Sequence, residues 1–469
     1  MIGELKLYPA YKDSGLDWLG SIPAHWSLLR AKHLFREVDE RSKTGKEELL
    51  SVSHLTGVTP RRLKNVTMFM AESNVGHKVC RPGDLVINTL WAWMAALGVT
   101  RHLGLVSPAY GVYRPVEGGG MLPAFAGYLL RTSIYAAEYQ RRSTGVNSSR
   151  LRLYPEQFLR TPVLLPPLED QMAIVRFLDS ANGQLDRVVR AKRKVAAMLT
   201  EQKQAIIQRA VTRGFDTTAR LASSGIPWLG DIPEHWGTRR IKSICQFVTS
   251  GSRGWARYYA DTGSVFLRIG NISTTSVDLR LKRMTYVQPP KDAEGERTRA
   301  RPDDILLSIT AQIGAVGVVP AGLGEAFVNQ HTALIRLRRD RCVPRWVAYS
   351  LLSRFGKDQC RLLTNGGTKV GLTLGDVRGL TVLSPPIDEQ LRIVQALEDQ
   401  TRGLNDGIAS LEREVDLLKE YRTRLIADVV TGRLDVREAA ARLPDDVGPS
   451  IETVEGDDLE LVDEEATEA

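Results

Sequence analysis

Nine residues near the start, Trp18-Leu19-Gly20-Ser21-Ile22-Pro23-Ala24-His25-Trp26, return as Trp228-Leu229-Gly230-Asp231-Ile232-Pro233-Glu234-His235-Trp236, with seven of the nine unchanged. Two further anchors follow at a similar distance. Arg81-Pro82-Gly83-Asp84-Leu85-Val86 answers to Arg301-Pro302-Asp303-Asp304-Ile305-Leu306, and Leu165-Pro166-Pro167-Leu168-Glu169-Asp170-Gln171 to Ser384-Pro385-Pro386-Ile387-Asp388-Glu389-Gln390. A period of roughly 215 residues is far too long for a solenoid repeat, so the duplication is one of whole domains.

The third anchor opens a helix in each copy. Paired prolines disfavour helix before them, and the acids just after them place negative charge at a helix amino terminus. From there the chain runs without proline to Val211-Thr212-Arg213-Gly214 and to Val430-Thr431-Gly432-Arg433. Each run holds about 45 residues, roughly 65 Å if helical throughout. Leu397, Leu404, Leu411, Leu418 and Leu425 recur at strict seven-residue spacing, and Leu178, Leu185, Leu199 and Ile206 form the corresponding stripe in the first run. Such stripes need a partner, and each helix is the other's. The expected fold is mixed α/β (α+β): two duplicated heads and two long helices packed as an antiparallel coiled coil with pseudo-two-fold symmetry. The expected divisions are 1–160 for head one, 168–213 for helix one, 216–380 for head two, 388–432 for helix two and 444–469 for a tail.

Between the shared anchors the heads differ. Head one carries Arg61, Arg62, Lys64, Trp91-Ala92-Trp93 and Arg101; head two carries Arg253, Arg257, Arg280, Lys282 and Arg283 around a glycine-rich, aromatic stretch. Polar turns containing Asn147 and Arg150, or Lys369, precede the two helices, and Asn329 and Gln330 form a further candidate pair. Arginine and lysine bond guanine edges or phosphates, and Asn and Gln pair with adenine edges. A common frame with unlike polar loops is suited to reading two unlike DNA sequences. His25 and His235 stand in a repeated Pro-x-His-Trp setting and are expected to satisfy local backbone groups.

Charge points the same way. The formal net charge is +8, but residues 444–469 hold eleven acidic residues and no Lys or Arg, so the remainder carries +19. That field suits a polyanion, while the acidic tail reads as disordered. With 43% hydrophobic and 25% charged residues the chain is that of a folded protein. Neither a run of about 18 apolar residues nor a basic-then-apolar start is present, so membrane insertion and secretion are not expected. Four scattered cysteines suit a reducing cytoplasm and lack zinc-site spacing.

Catalytic signatures are wanting. No Walker loop occurs, nor an Asn/Asp-Pro-Pro-aromatic or Pro-Cys element of a DNA methyltransferase. Asp303-Asp304 pairs two acids, yet head one has only Asp84 there and no closely following acid-x-Lys completes a nuclease site. The chain is expected to contain no catalytic residue, metal or cofactor of its own.

Duplicated Trp-Leu-Gly-x-Ile-Pro-x-His-Trp heads, Pro-Pro-(Leu/Ile)-x-x-Gln helix starts and the terminal Thr431-Gly432-Arg433-Leu434 together resemble the specificity subunit of a type I restriction-modification system, over about residues 5–435. The resemblance implies that 16–155 and 226–375 each read half of a split, asymmetric site in double-stranded DNA, with the helices as a ruler. It implies two modification subunits that carry S-adenosylmethionine and methylate adenine, docked near the helix stretches after Glu169 and Asp388. It also implies restriction subunits that use ATP and Mg2+. A modification-only complex, a coiled-coil scaffold and a self-contained nuclease remain open alternatives. Neighbouring genes separate the first, absence of DNA affinity the second, and partner-free cleavage with metal the third.

Overall fold

The computed structural model describes residues 5–63, 73–145, 151–226, 228–251, 253–289, 293–364 and 371–444. It is mixed α/β, and contacts divide the chain into two compact units. Among the described residues, unit 1 comprises 5–191 and 414–444, and unit 2 comprises 192–413. The divisions fall inside the two long helices, α1 (Leu168–Arg213) and α2 (Ile387–Val430), so each unit owns a head, part of α1 and part of α2.

In unit 1 the head is built on an antiparallel sheet of β1 (Phe35–Glu37), β2 (Leu85–Ile87), β3 (Leu97–Val99) and β4 (Gly111–Pro115), in the order β1-β4-β2-β3. Unit 2 repeats this with β5 (Cys245–Ser250), β6 (Ile305–Ser308), β7 (Val316–Val318) and β8 (Thr332–Leu337), in the order β5-β8-β6-β7. The same buried ion pair pins both sheets. Asp84, 1% exposed, takes two 2.8 Å hydrogen bonds from Arg114 on the neighbouring strand; Asp304, 2% exposed, takes bonds of 2.8 and 2.6 Å from Arg336. The Arg81 and Arg301 amides donate to the same carboxylates, closing the Arg-Pro-x-Asp turn. These aspartates are frame residues, with their lone pairs committed to arginine and backbone.

Each head is fastened to its helix start by side chains of the repeated anchors. In unit 1 the Trp26 indole N–H donates to Asp170 at 3.0 Å, and His25 Nε2 lies 2.7 Å from the same carboxylate. In unit 2 Trp236 donates to Glu389 at 3.1 Å with His235 at 2.9 Å. The expectation that these histidines serve local backbone groups is therefore corrected. They pair with a carboxylate on the long helix, about 150 residues away in sequence, which local reading cannot find. The glutamine that follows staples a second helix: Gln171 Oε1 accepts from the Leu122 amide ahead of helix Pro123–Leu129, and Gln390 Oε1 accepts from Val343 ahead of Pro344–Leu352. Both bonds satisfy an amide at a helix start, where no intrahelical acceptor exists.

The far end of the other long helix completes each unit. Gly432, at φ +79°, ends α2 against Pro23 and Trp26, and Gly214, at φ +67°, ends α1 against Trp236. Left-handed backbone there favours glycine, and the close approach of the indoles leaves little room for a side chain. In unit 1 the chain start joins this corner, since the Asp435 amide donates to the Lys6 carbonyl at 2.8 Å.

The helix segments run antiparallel within each unit. In unit 1 Leu178 and Ala181 share a core with Leu425 and Val429, and Asp186 pairs with Arg422. In unit 2 Ala210 and Val211 share a core with Ile393, Val394 and Leu397, and Lys203 Nζ donates to Asn405 at 2.6 Å. Of the leucine stripe, Leu178, Leu185, Leu397 and Leu425 are buried, while Leu199, Leu404, Leu411 and Leu418 are half-buried. Ile206 is half-buried too, and its neighbour Ile207 is the fully buried one. An ideal α-helix drifts about 20° per heptad, so four heptads after Leu178 the facing position has moved on by almost one residue.

Candidate nucleic-acid interface

In unit 2 the loops carrying the basic candidates meet at one end of the sheet. β5 ends at Ser250, and the Gly251 amide donates to the Asn329 carbonyl at 3.1 Å; a side chain at Gly251 would lie 2.2 Å from the Val328 carbonyl. The Asn329 amide in turn donates to Leu267, at the end of strand Ser264–Leu267, which pairs in parallel with Ala326–Val328. Asn271 then draws in the next loop by donating to the Arg280 and Arg283 carbonyls at 2.9 and 3.2 Å. Arg253, Arg257, Arg280, Lys282, Arg283, Asn329 and Gln330 are thus gathered on linked loops, the five cations all exposed.

Aromatic packing holds this end in shape. Trp255, 4% exposed, stacks on Phe266 at 5.4 Å and touches Phe327 at 5.6 Å, which leaves Arg253 and Arg257 on either side of a buried anchor. The Arg257 guanidinium lies 4.8 Å from the Tyr258 ring centre. Asn329 and Gln330 are partly engaged inside the protein: Asn329 Oδ1 accepts from Thr332 at 2.9 Å, and Gln330 bonds His331, which bonds Thr310 at 3.0 Å. The Asn and Gln side chains keep further donors, so the turn is a braced one that still offers polar edges.

In unit 1 the candidates divide. Arg61 follows strand Gly57–Pro60 and acts on Tyr110, whose hydroxyl is pushed up by burial and drawn back down by the Arg61 charge. Tyr110 accepts from Asn88 Nδ2 at 3.1 Å, at the end of β2. Arg62 is exposed and bonds Glu48 at 2.6 Å, a surface pair of little energetic weight that DNA can displace. Arg101 sits elsewhere: it follows β3 and acts on Tyr128, which is pushed far up by burial and by Asp179 of α1. The charges of Arg101 and Arg61 therefore act on different tyrosines, of which Tyr128 is the one bonded to α1. Lys64, Asn147, Arg150 and Lys369 lie outside the described residues.

Among the described residues there is no group of three or more His, Cys, Asp or Glu able to hold a metal ion, and no helix is long and apolar enough to cross a membrane. The four cysteines are free and buried. Burial pushes the Cys80 and Cys342 thiols up to about 12 and the Cys360 thiol to about 11.

Comparison with known proteins matches residues 233–414 to the type I restriction modification DNA specificity domain, a span that runs from the head-two anchor into α2. The chain is similar to the specificity subunits of type I restriction-modification systems. It is 23% identical over 333 residues to the EcoKI specificity subunit of Escherichia coli K12, covering 68% of this chain and 67% of that one. It is 25% identical over 244 residues to the EcoBI specificity subunit of Escherichia coli, covering half of each. Across the curated relatives it matches, the chain spans about half to two thirds of their length. A solved chain, from work on complex assembly and conformational transition of the type I R-M system, shares the fold with a TM-score of 0.52 at 19% identity, over 87% of this chain and 98% of its own.

Proposed function

We propose that this protein is the sequence-reading, non-catalytic subunit of a type I restriction-modification complex. Each head reads one half of a bipartite, asymmetric site in double-stranded DNA, and the helix pair fixes the unread spacer. The observation that carries this reading is a frame built twice from the same bonds, with cationic and polar loops at the sheet ends that differ between the copies. A frame repeated this faithfully gives two readers a common posture, and unlike loops give them unlike targets. We assign S-adenosylmethionine to modification partners that methylate adenine, and ATP with Mg2+ to restriction partners. The setting is cytoplasmic.

Two copies of one modification subunit suit a second duplicated feature. Leu168 and Met172 at the start of α1 are 54% and 58% exposed, and Ile387 and Leu391 hold the same positions at the start of α2 at 37% and 52%. Met198 and Leu417, thirty residues further along their helices, are equivalent as well and both exposed. Apolar side chains kept outside at matching places in both units are a docking surface for a repeated partner. The test is methylation-site sequencing of DNA from cells with the neighbouring methyltransferase, with and without this chain. Loss of one split adenine motif without the chain is the expected result; an unchanged pattern, with assembly verified, overturns the assignment.

A further inference from the structure

The turn between β2 and β3 of head one projects an apolar pair that no frame contact explains. Leu90 and Trp91 are each 42% exposed, and the turn beneath them is closed by backbone hydrogen bonds. The Asn88 amide donates to Ala96, that of Trp91 to Asn88 and that of Ala96 back to Trp91; the Trp93 indole donates to the Leu90 carbonyl, and Ala92 is fully buried. Ala95 takes φ +59°, a left-handed conformation costly for a residue with a Cβ. Gly314, at φ +86°, holds the matching place in head two, so the left-handed residue belongs to the shared turn and the exposed apolar tip to head one alone.

The pair sits next to one of the basic candidates of head one. The same turn begins at Asn88, which bonds Tyr110, the residue on which Arg61 acts. Head two builds the equivalent turn with the same bonds, Ser308 to Ala315 and Leu372 to Ile309, matching Asn88 to Ala96 and Leu153 to Thr89. There, however, the tip is Thr310-Ala311-Gln312, with Thr310 tied to His331. A docking surface for a common partner keeps its apolar character in both copies, as Leu168/Met172 and Ile387/Leu391 do. A reader of different half-sites changes it.

We propose that Leu90 and Trp91 are specificity-determining residues of head one, packing on the C5-methyl of a thymine in the major groove. That methyl is the one apolar feature that a base edge offers there. The inference rests on the DNA-reading function proposed above. Its test uses the full chain assembled with its methyltransferase. Once the split motif is mapped, wild-type protein is bound to duplexes in which each thymine of either half-site is replaced in turn by uracil, which lacks only the methyl. Trp91→Ala and Trp91→Phe are mapped and titrated in parallel.

The expected result is a roughly tenfold loss for uracil at one position, in one half-site only. Trp91→Ala should relax that position, become indifferent to uracil there and keep the other half of the motif, and Trp91→Phe should retain part of the preference. A selective wild type that ignores uracil everywhere, or a Trp91→Ala variant that keeps the full motif or weakens both halves equally, overturns the inference and leaves the general function standing. A wild type that directs no sequence-selective methylation overturns the function itself.

Discussion

Asp84 and Asp304 show how much a single residue's role depends on what lies across the sheet from it. Two adjacent acids at 303–304 invite a metal-site reading, but Asp304 is spent on Arg336 and Asp303 bonds the exposed Arg339 at 2.8 Å. Removing one partner of a buried pair leaves an uncompensated charge, at a cost of roughly 3–5 kcal/mol. Asp304→Ala should fall within that range in chemical unfolding. Asp84→Ala should cost less, because the Arg114 side chain is 26% exposed against 13% for Arg336, so water takes up part of the stranded charge. Equal losses, or none, would sink the frame assignment. The thiols allow a second check. With Cys80 and Cys342 pushed up to about 12, the thiolate fraction at pH 8 is negligible, so a thiol reagent should label the native protein scarcely at all and label fully on unfolding. Rapid native labelling would contradict their burial. On the interface, Arg253→Ala should weaken DNA binding and flatten its salt dependence by about one phosphate contact. Unaltered affinity across salt concentrations would remove Arg253 from the reading surface.

At the scale of elements, the ends of the long helices decide how each head is seated. A Cβ on Gly432 would sit 2.4 Å from Pro23 Cδ, whereas one on Gly214 would sit 3.2 Å from Trp236, and both residues have positive φ. Both alanine variants carry the left-handed penalty of about 1 kcal/mol. Only Gly432→Ala adds a collision with a ring that cannot move aside, so it should be clearly the less stable of the two, as read by their thermal midpoints. The reverse order would show that the corner is looser than these distances imply. Sequence alone made the two long helices legible, because prolines, flanking acids and apolar periodicity are local signals. It left the His25–Asp170 and His235–Glu389 pairs invisible, because each joins residues about 150 apart. It also missed the parallel pairing of Ser264–Leu267 with Ala326–Val328, which links the basic loops of head two and has no periodic signature. Arg101 looked like Arg61 in composition; only the fold shows that their charges act on different tyrosines, Tyr128 and Tyr110.

For the whole molecule, duplication makes partner number a property that can be edited one copy at a time. Met172 and Leu391 hold equivalent, largely exposed positions, one in each unit, so a charge at either leaves the unit's core untouched. An aspartate in an apolar docking patch must be desolvated on assembly without a counter-charge, a penalty of a few kcal/mol that weakens a contact by orders of magnitude. Met172→Asp and Leu391→Asp should each yield, in mass measurements of the purified assembly, a complex short of one methyltransferase copy, and the double variant a specificity subunit with neither. Their unfolding midpoints should match the wild type, which separates lost docking from lost folding. A full complement of partners on the double variant would mean that the duplicated apolar pairs lie off the docking surface. Loss of both copies from either single variant would mean that the two partners bind only together, and the symmetry of the chain would then describe its ancestry better than its assembly.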